Sequence, residues 1–72
     1  MIPIKIAIIG GGSSYTPELV EGIIQRSEHI PLSELALVDV EAGHHKVDVI
    51  ADLTRRMLAR NGLEHVKVTV HF

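Results

Sequence analysis

The run Gly10-Gly11-Gly12-Ser13-Ser14-Tyr15-Thr16-Pro17-Glu18 follows directly on the apolar segment Ile4-Lys5-Ile6-Ala7-Ile8-Ile9. Residues of these types, in this order, can bind phosphate. Glycine lets a backbone turn sharply and come close to a pyrophosphate, and the amides at the start of a following helix supply a positive field. Gly10 is placed to make the tight turn and Gly12 to admit the pyrophosphate, matching the first two glycines of the G-x-G-x-x-G pattern. Tyr15 stands in the third glycine's slot, so the usual close helix-strand contact is not expected there, and Pro17 points to a later helix start. Ser13 and Ser14 can donate hydroxyl hydrogen bonds to phosphate or bond locally within the loop. The glycines are not followed by Gly-Lys-Ser/Thr, which argues against a Walker-type loop.

A second chemical position is Asp39, at the end of the apolar run Leu35-Ala36-Leu37-Val38. A carboxylate at the end of a second strand can accept hydrogen bonds from both hydroxyls of an adenosine ribose. Its charge repels a 2′-phosphate and so favours NAD over NADP. A turn-forming Asp is the plainer alternative. Glu41 is a weaker acid on the same rim, more simply read as solvated surface. Tyr15 carries a phenol, for which a wall of the cofactor crevice is a simpler role than acid-base catalysis. His29, His44, His45, His65 and His71 read as surface residues. His44 and His45 are neighbours at a helix start, point in different directions, and share a metal poorly. No catalytic or metal-ligating cluster is expected, which leaves Gly10, Gly12, Ser13, Ser14 and Asp39 as the candidate cofactor-binding set.

The elements that must hold these residues are legible from periodicity. Ile4 to Ile9 is an unbroken apolar run, the pattern of a parallel strand covered on both faces and central in its sheet. Thr16 is placed to cap a helix beginning at Pro17, with Glu18 in its first turn, Leu19, Val20, Ile23 and Ile24 facing inward, and an end near Ser27. Glu34 to Val40 reads as a second buried strand, and Gly43 closes the turn after it. From about His44 to Arg60, Val47, Ile50, Ala51, Thr54, Met57 and Leu58 recur at steps of three and four, the signature of an amphipathic helix. On its other face Asp52 can pair with Arg55 or Arg56, and Asn61-Gly62 supplies a left-handed stop. Val66 to His71 alternates as an edge strand does. The order is β-α-β-α-β, one half of a Rossmann-like doubly wound parallel sheet with strand order 3-2-1. In complete folds of that kind a second half pairs against strand one; without it strand one would present a flat apolar edge, and the chain is expected to self-associate through that edge, to swap strands or to belong to something larger.

Composition bounds the partners. The chain has 72 residues, 46% of them hydrophobic, with a formal net charge of −2 and no cysteine. That is one small unit, without the basic stripe that nucleic acid or an anionic membrane requires. It has no disulfide framework either, which fits a cytoplasmic setting.

The segment Ile6 to Val20, with Gly10-Gly11-Gly12-Ser13-Ser14-Tyr15-Thr16-Pro17-Glu18 at its centre, closely resembles the amino terminus of family 4 glycoside hydrolases, and within them the 6-phospho-β-glucosidase branch. Leu37-Val38-Asp39-Val40-Glu41 and the helix carrying Arg55-Arg56-Met57 are similar to that branch as well, so the resemblance spans essentially the whole chain. Related α-glucosidase members tend to carry Ser-Thr-Phe-Thr-Pro-Gly in this loop. The resemblance implies an enzyme that uses NAD⁺ and a divalent metal, commonly Mn²⁺, on a phosphorylated β-glucoside. Hydride is taken from C3, a base removes the C2 proton, the aglycone is eliminated, water adds, and the hydride returns. Only the cofactor-binding positions Gly10, Gly12, Ser13, Ser14 and Asp39 match here. The family's metal ligands, base and sugar-phosphate pocket lie further along a much longer chain. Residues 1–72 are therefore expected to be the amino-terminal part of a dinucleotide-binding domain, with the rest of the parent enzyme absent and no activity alone. Half of a conventional NAD-dependent dehydrogenase, or a non-catalytic nucleotide-binding module, would show the same βαβ features.

Overall fold

Pleated strands bury alternate residues, and here the alternation leads to one core on one side of the sheet. The computed structural model describes residues 3–40 and 44–72. Its elements run β1 (Ile4–Ile9), α1 (Thr16–Gln25), β2 (Leu32–Val38), α2 (His44–Arg60) and β3 (Lys67–His71). The strands make a parallel sheet in the order β1-β2-β3, the expected 3-2-1 arrangement, with Ile6 beside Leu35 and Leu35 beside Val68. Ile8, Leu35, Leu37 and Val68 pack with Val20 of α1 and Val47, Ala51 and Leu58 of α2 in one buried cluster. Removing that apolar surface from water is the main force holding the layers together.

The other face of the sheet carries Lys5, Ala7 and Ile9 from β1, Glu34, Ala36 and Val38 from β2, and Lys67, Thr69 and His71 from β3. Lys5 lies 3.3 Å from Glu34 Oε2, and the Thr69 hydroxyl donates to the same oxygen at 2.9 Å. These bonds across three strands fix the register on a face that no described element covers. β2, not β1, is the central strand. The double coverage expected of β1 is not found among the described residues: it is an edge, and Ile9 is 80% exposed.

Other departures are local. β2 begins and ends two residues earlier than its apolar pattern suggests: it starts at Leu32, paired with Ile4, and at its end the Asp39 carboxylate takes the Val40 amide at 2.7 Å and draws the chain out of the ladder. Thr16 does not cap α1. The cap is Tyr15, in helical conformation without a side-chain cap bond, and Thr16 is already inside the helix and fully buried. Leu19 is 53% exposed rather than inward, since a helical step of 100° from the buried Val20 carries it off the narrow apolar stripe. α2 keeps the predicted bounds, with Val47, Ala51, Thr54 and Leu58 buried and Asp52 paired to Arg56 at 3.7 Å. It ends at Arg60, and Gly62 just beyond, with φ 73°, lets the Leu63 amide reach back to the Leu58 carbonyl at 2.8 Å. Gly43 and Glu41, and the turn expected of them, lie outside the described residues.

Candidate cofactor-binding site

The glycine loop leaves the carboxyl end of β1 and folds over the carboxyl end of β2. Gly10 has φ 75°, a conformation that costs an L side chain steric strain, and nothing lies within 4 Å of where its Cβ would be. It makes the tight turn and leaves open space above it. The amides of Gly10 and Gly11 both donate to the Val38 carbonyl, at 2.7 and 3.0 Å, so the turn is clamped to the adjacent strand.

Gly11 is the residue that motif reading passed over. A Cβ there would stand 2.7 Å from Leu37 Cβ and 3.0 Å from Leu37 Cα, so only hydrogen fits between loop and central strand. The close contact that the third glycine of the usual pattern provides is thus supplied here from the middle of the triplet. The only sequence signal for it was a third glycine where two suffice for the turn. Tyr15, in the slot of that third glycine, is 71% exposed, so it serves the core little and lies open at the loop surface.

Gly12 sits against Asp39. Its amide donates to Asp39 Oδ2 at 2.9 Å, and a Cβ at Gly12 would meet that oxygen and Val47 Cγ2 at 2.9 Å each. The absent side chain therefore lets the carboxylate and the first turn of α2 come close. Asp39 is half-buried just past the end of β2, its own amide donating to the His71 carbonyl at 3.0 Å. The Val40 and Gly12 amides, in that order, with Lys46 adding a favourable charge, hold the Asp39 carboxyl below its usual range against the opposing effect of desolvation. It is an anion at neutral pH. A carboxylate has about four lone-pair sites, two on each oxygen. Among the described residues one amide donor meets each oxygen, Val40 at Oδ1 and Gly12 at Oδ2, which leaves one site on each without a described partner.

Ser13 and Ser14 separate in role. The Ser13 hydroxyl accepts the Tyr15 amide at 3.2 Å and its carbonyl accepts the Thr16 amide at 3.1 Å, so this serine builds the loop. Ser14 is exposed. Beneath them the Thr16 hydroxyl is buried with no hydrogen-bond partner among the described residues. Among the described residues no three His, Asp or Glu side chains come together where they could hold a metal ion. His29, His44, His45, His65 and His71 are all exposed, with His44 2.7 Å from Asp48 and its ring 5.0 Å from that of Phe72. No helix among the described residues is long and apolar enough to cross a membrane.

The profile of the family 4 glycosyl hydrolases matches residues 5–71. Over 60 residues the chain is 57% identical to the 6-phospho-beta-glucosidase of Escherichia coli (strain K12), an alignment that takes in 83% of this chain and 13% of that protein. The fold superimposes with a TM-score of 0.79 and 36% identity on the 6-phospho-beta glucosidase of Thermotoga maritima solved with manganese, NAD+ and glucose-6-phosphate, over 93% of this chain and 15% of that one. A 6-phospho-alpha-glucosidase from gut microorganisms, solved with NAD and glucose-6-phosphate, gives a TM-score of 0.80 at 33% identity, over 96% of this chain and 15% of that one. The chain thus spans about one seventh of the length of the relatives it matches.

Proposed function

The chain belongs to the family 4 glycosyl hydrolases, and we propose that residues 1–72 are the amino-terminal part of the dinucleotide-binding domain of a 6-phospho-β-glucosidase. By themselves these residues hold cofactor and hydrolyse nothing. The observation that carries this reading is the Asp39 carboxylate, fixed by two backbone amides between the glycine loop and the end of β2, with only one donor on each oxygen among the described residues. That spacing suits the two hydroxyls of an adenosine ribose, and the negative charge disfavours a 2′-phosphate, so the cofactor is NAD rather than NADP.

The loop fits the same group. The open space at Gly10 admits a pyrophosphate, and the exposed Ser14 and the loop surface over the amino terminus of α1 face it with hydrogen-bond donors and the positive end of a helix. Ser13 and Gly12 keep that surface in shape through their bonds to Tyr15 and Asp39. When bound, NAD⁺ supplies a hydride acceptor. The chain's own part is to orient it. The likeness to the Escherichia coli enzyme at 57% identity supports a phosphorylated β-glucoside as the parent enzyme's substrate, and a cytoplasmic setting belongs to the same reading. A divalent metal, commonly Mn²⁺ in the family, would be held outside these residues.

The test is a calorimetric titration of the folded chain with NAD⁺ and NADP⁺, repeated with Asp39→Ala after circular dichroism has verified its fold. Saturable NAD⁺ binding, tighter than that of NADP⁺ and weakened about tenfold or more by Asp39→Ala, is expected, since hydrogen bonds to a charged acceptor are each worth about 1.5–3 kcal/mol. A folded wild-type chain that binds neither nucleotide would refute the claim that these residues suffice to hold the cofactor.

A further inference from the structure

Two reverse turns in succession carry the chain from β1 into α1. In the first the Ser13 amide donates to the Gly10 carbonyl at 2.9 Å, and in the second the Thr16 amide donates to the Ser13 carbonyl at 3.1 Å. The two middle residues of such a turn have no bond within it, so their amides find acceptors elsewhere or stay open. Three of the four have found one. Gly11 donates to the Val38 carbonyl, Gly12 to Asp39 Oδ2 and Tyr15 to Ser13 Oγ. The Ser14 amide has no acceptor among the described residues, although the amides on both sides of it do. Beyond the turns, Glu18 and Leu19 both donate to the Tyr15 carbonyl.

A second donor stands open at the same place. Thr16 is the first residue of α1 and wholly buried, and its hydroxyl has no partner among the described residues. In a helix the Cα–Cβ bond tilts toward the amino terminus, so the Thr16 side chain leans from beneath into the turn that presents Ser14. A buried hydroxyl without a bond costs stability, and costs of that kind gather at functional sites. The amino end of α1 thus has an amide, a hydroxyl and the positive pole of the helix that the protein itself leaves unengaged. Between Gly10 and Leu19 the chain has no Lys or Arg, and Glu18 is acidic. An anion seated there must be held by neutral donors.

We propose that the Ser14 amide, and not that of Gly12, is the loop's backbone donor to the cofactor's pyrophosphate, with the Thr16 hydroxyl supporting it from below. The inference deepens the dinucleotide reading and rests on it for the identity of the anion. Motif spacing gives the closest approach to Gly12, yet the Gly12 amide is already bonded to the carboxylate that meets the ribose. That bond divides the work. Gly12 ties the ribose acceptor to the loop, and Ser14, two residues on and exposed, is left for the phosphate. A phosphate oxygen accepting from the Ser14 N–H makes a charge-assisted bond, stronger than a neutral one. The Thr16 hydroxyl, unbound and able to rotate, turns its positive end toward that charge and adds to the field of α1.

Amide NMR of the ¹⁵N-labelled chain, titrated with inorganic pyrophosphate at constant ionic strength, tests this. The Ser14 N–H proton is expected to move downfield, further than any other amide from Gly10 to Leu19, while that of Gly12 stays with Asp39. Ser14→Pro removes the donor. It suits the turn, because Ser14 is the second of its four residues, where proline is favoured, and Tyr15 after it has φ −81° and ψ −16°, as the third residue of a type I turn does. Ser14→Pro should weaken pyrophosphate about tenfold or more, and Ser14→Ala, which keeps the amide, by less. A Ser14 resonance that pyrophosphate leaves in place, a larger shift at Gly12, or equal losses from the two variants would each overturn the proposal. Pyrophosphate has no ribose, so a parallel titration with NAD⁺ separates the two readings. A chain that answers pyrophosphate at Ser14 but does not bind NAD⁺ refutes the adenosine site alone. One that binds NAD⁺ with Ser14 unmoved refutes the Ser14 donor alone.

Discussion

Gly11→Ala should destabilise the fold, although glycine-to-alanine exchange ordinarily does the opposite. Alanine restricts the unfolded chain and, where the native backbone admits it, gains about 0.4–1 kcal/mol. At Gly11 the backbone is not in the left-handed region that glycine alone tolerates, so conformation does not decide the outcome. Contact does. The new methyl would stand 2.7 Å from Leu37 Cβ and 3.0 Å from its Cα, and neither atom lies at the end of a side chain that could swing away. Leu37 is fully buried in the central strand, so the glycine loop must lift. Overpacking of this kind costs about 1–3 kcal/mol. The upper part of that range is expected because lifting the loop also stretches the bonds from Gly10 and Gly11 to the Val38 carbonyl.

Gly22 provides the matched control. It lies inside α1, where a Cβ would meet only Arg26 Nη1, at an ordinary 3.6 Å. Gly22→Ala should therefore stabilise by about 0.5–1 kcal/mol through helix propensity. The two alanine variants should straddle the wild type and differ by about 3 kcal/mol, a large fraction of the roughly 4–11 kcal/mol expected for a domain of this size. Urea titrations followed by circular dichroism measure this, at a protein concentration above which the midpoint no longer changes. A Gly11→Ala midpoint at or above that of the wild type would refute the packing argument.

Thr16→Val should stabilise the chain by about 1 kcal/mol in thermal unfolding, because it replaces a buried hydroxyl without a partner among the described residues by a methyl of similar shape; a loss of stability would reveal a bond to that hydroxyl. Glu34 should contribute to acid unfolding. The Thr69 hydroxyl foremost, with the hydrogen bond and charge of Lys5 and the charge of Lys67, lowers its carboxyl pKa against the opposing effect of burial. A depressed folded-state pKa gives stability that is present above the unfolded value and lost as pH falls through the folded one. Melting temperatures between neutral pH and about pH 3 should thus fall less steeply for Glu34→Gln than for the wild type, and parallel curves would count against the Glu34 contacts.

The glycine run, the acid after the second apolar run and the helical spacing of Val47, Ala51, Thr54 and Leu58 all speak through neighbours within a few positions, and these gave the elements and their order. The ends of α1 and β2 were misplaced where one side chain competes with regular structure. Asp39 captures the Val40 amide and stops β2, while Ser13 takes the Tyr15 amide and lets α1 start without Thr16 as its cap. Competition of this sort depends on where a carboxylate or hydroxyl points, which a residue's type alone does not settle.

The sequence by itself determined a βαβαβ unit with a glycine turn at the end of its first strand and an acid at the end of its second, because hydrophobic period, capping and turn chemistry are local properties of the chain. Only the tertiary structure decided that Gly11 is the residue pressed against Leu37 and that Gly12 and Asp39, 27 positions apart, share a hydrogen bond. It alone placed Arg55 over the edge of β3 and left β1 uncovered among the described residues. Those relations arise when segments distant in sequence are packed to within atomic contact, where a single methyl or one orphaned amide becomes large beside the small net stability of the fold.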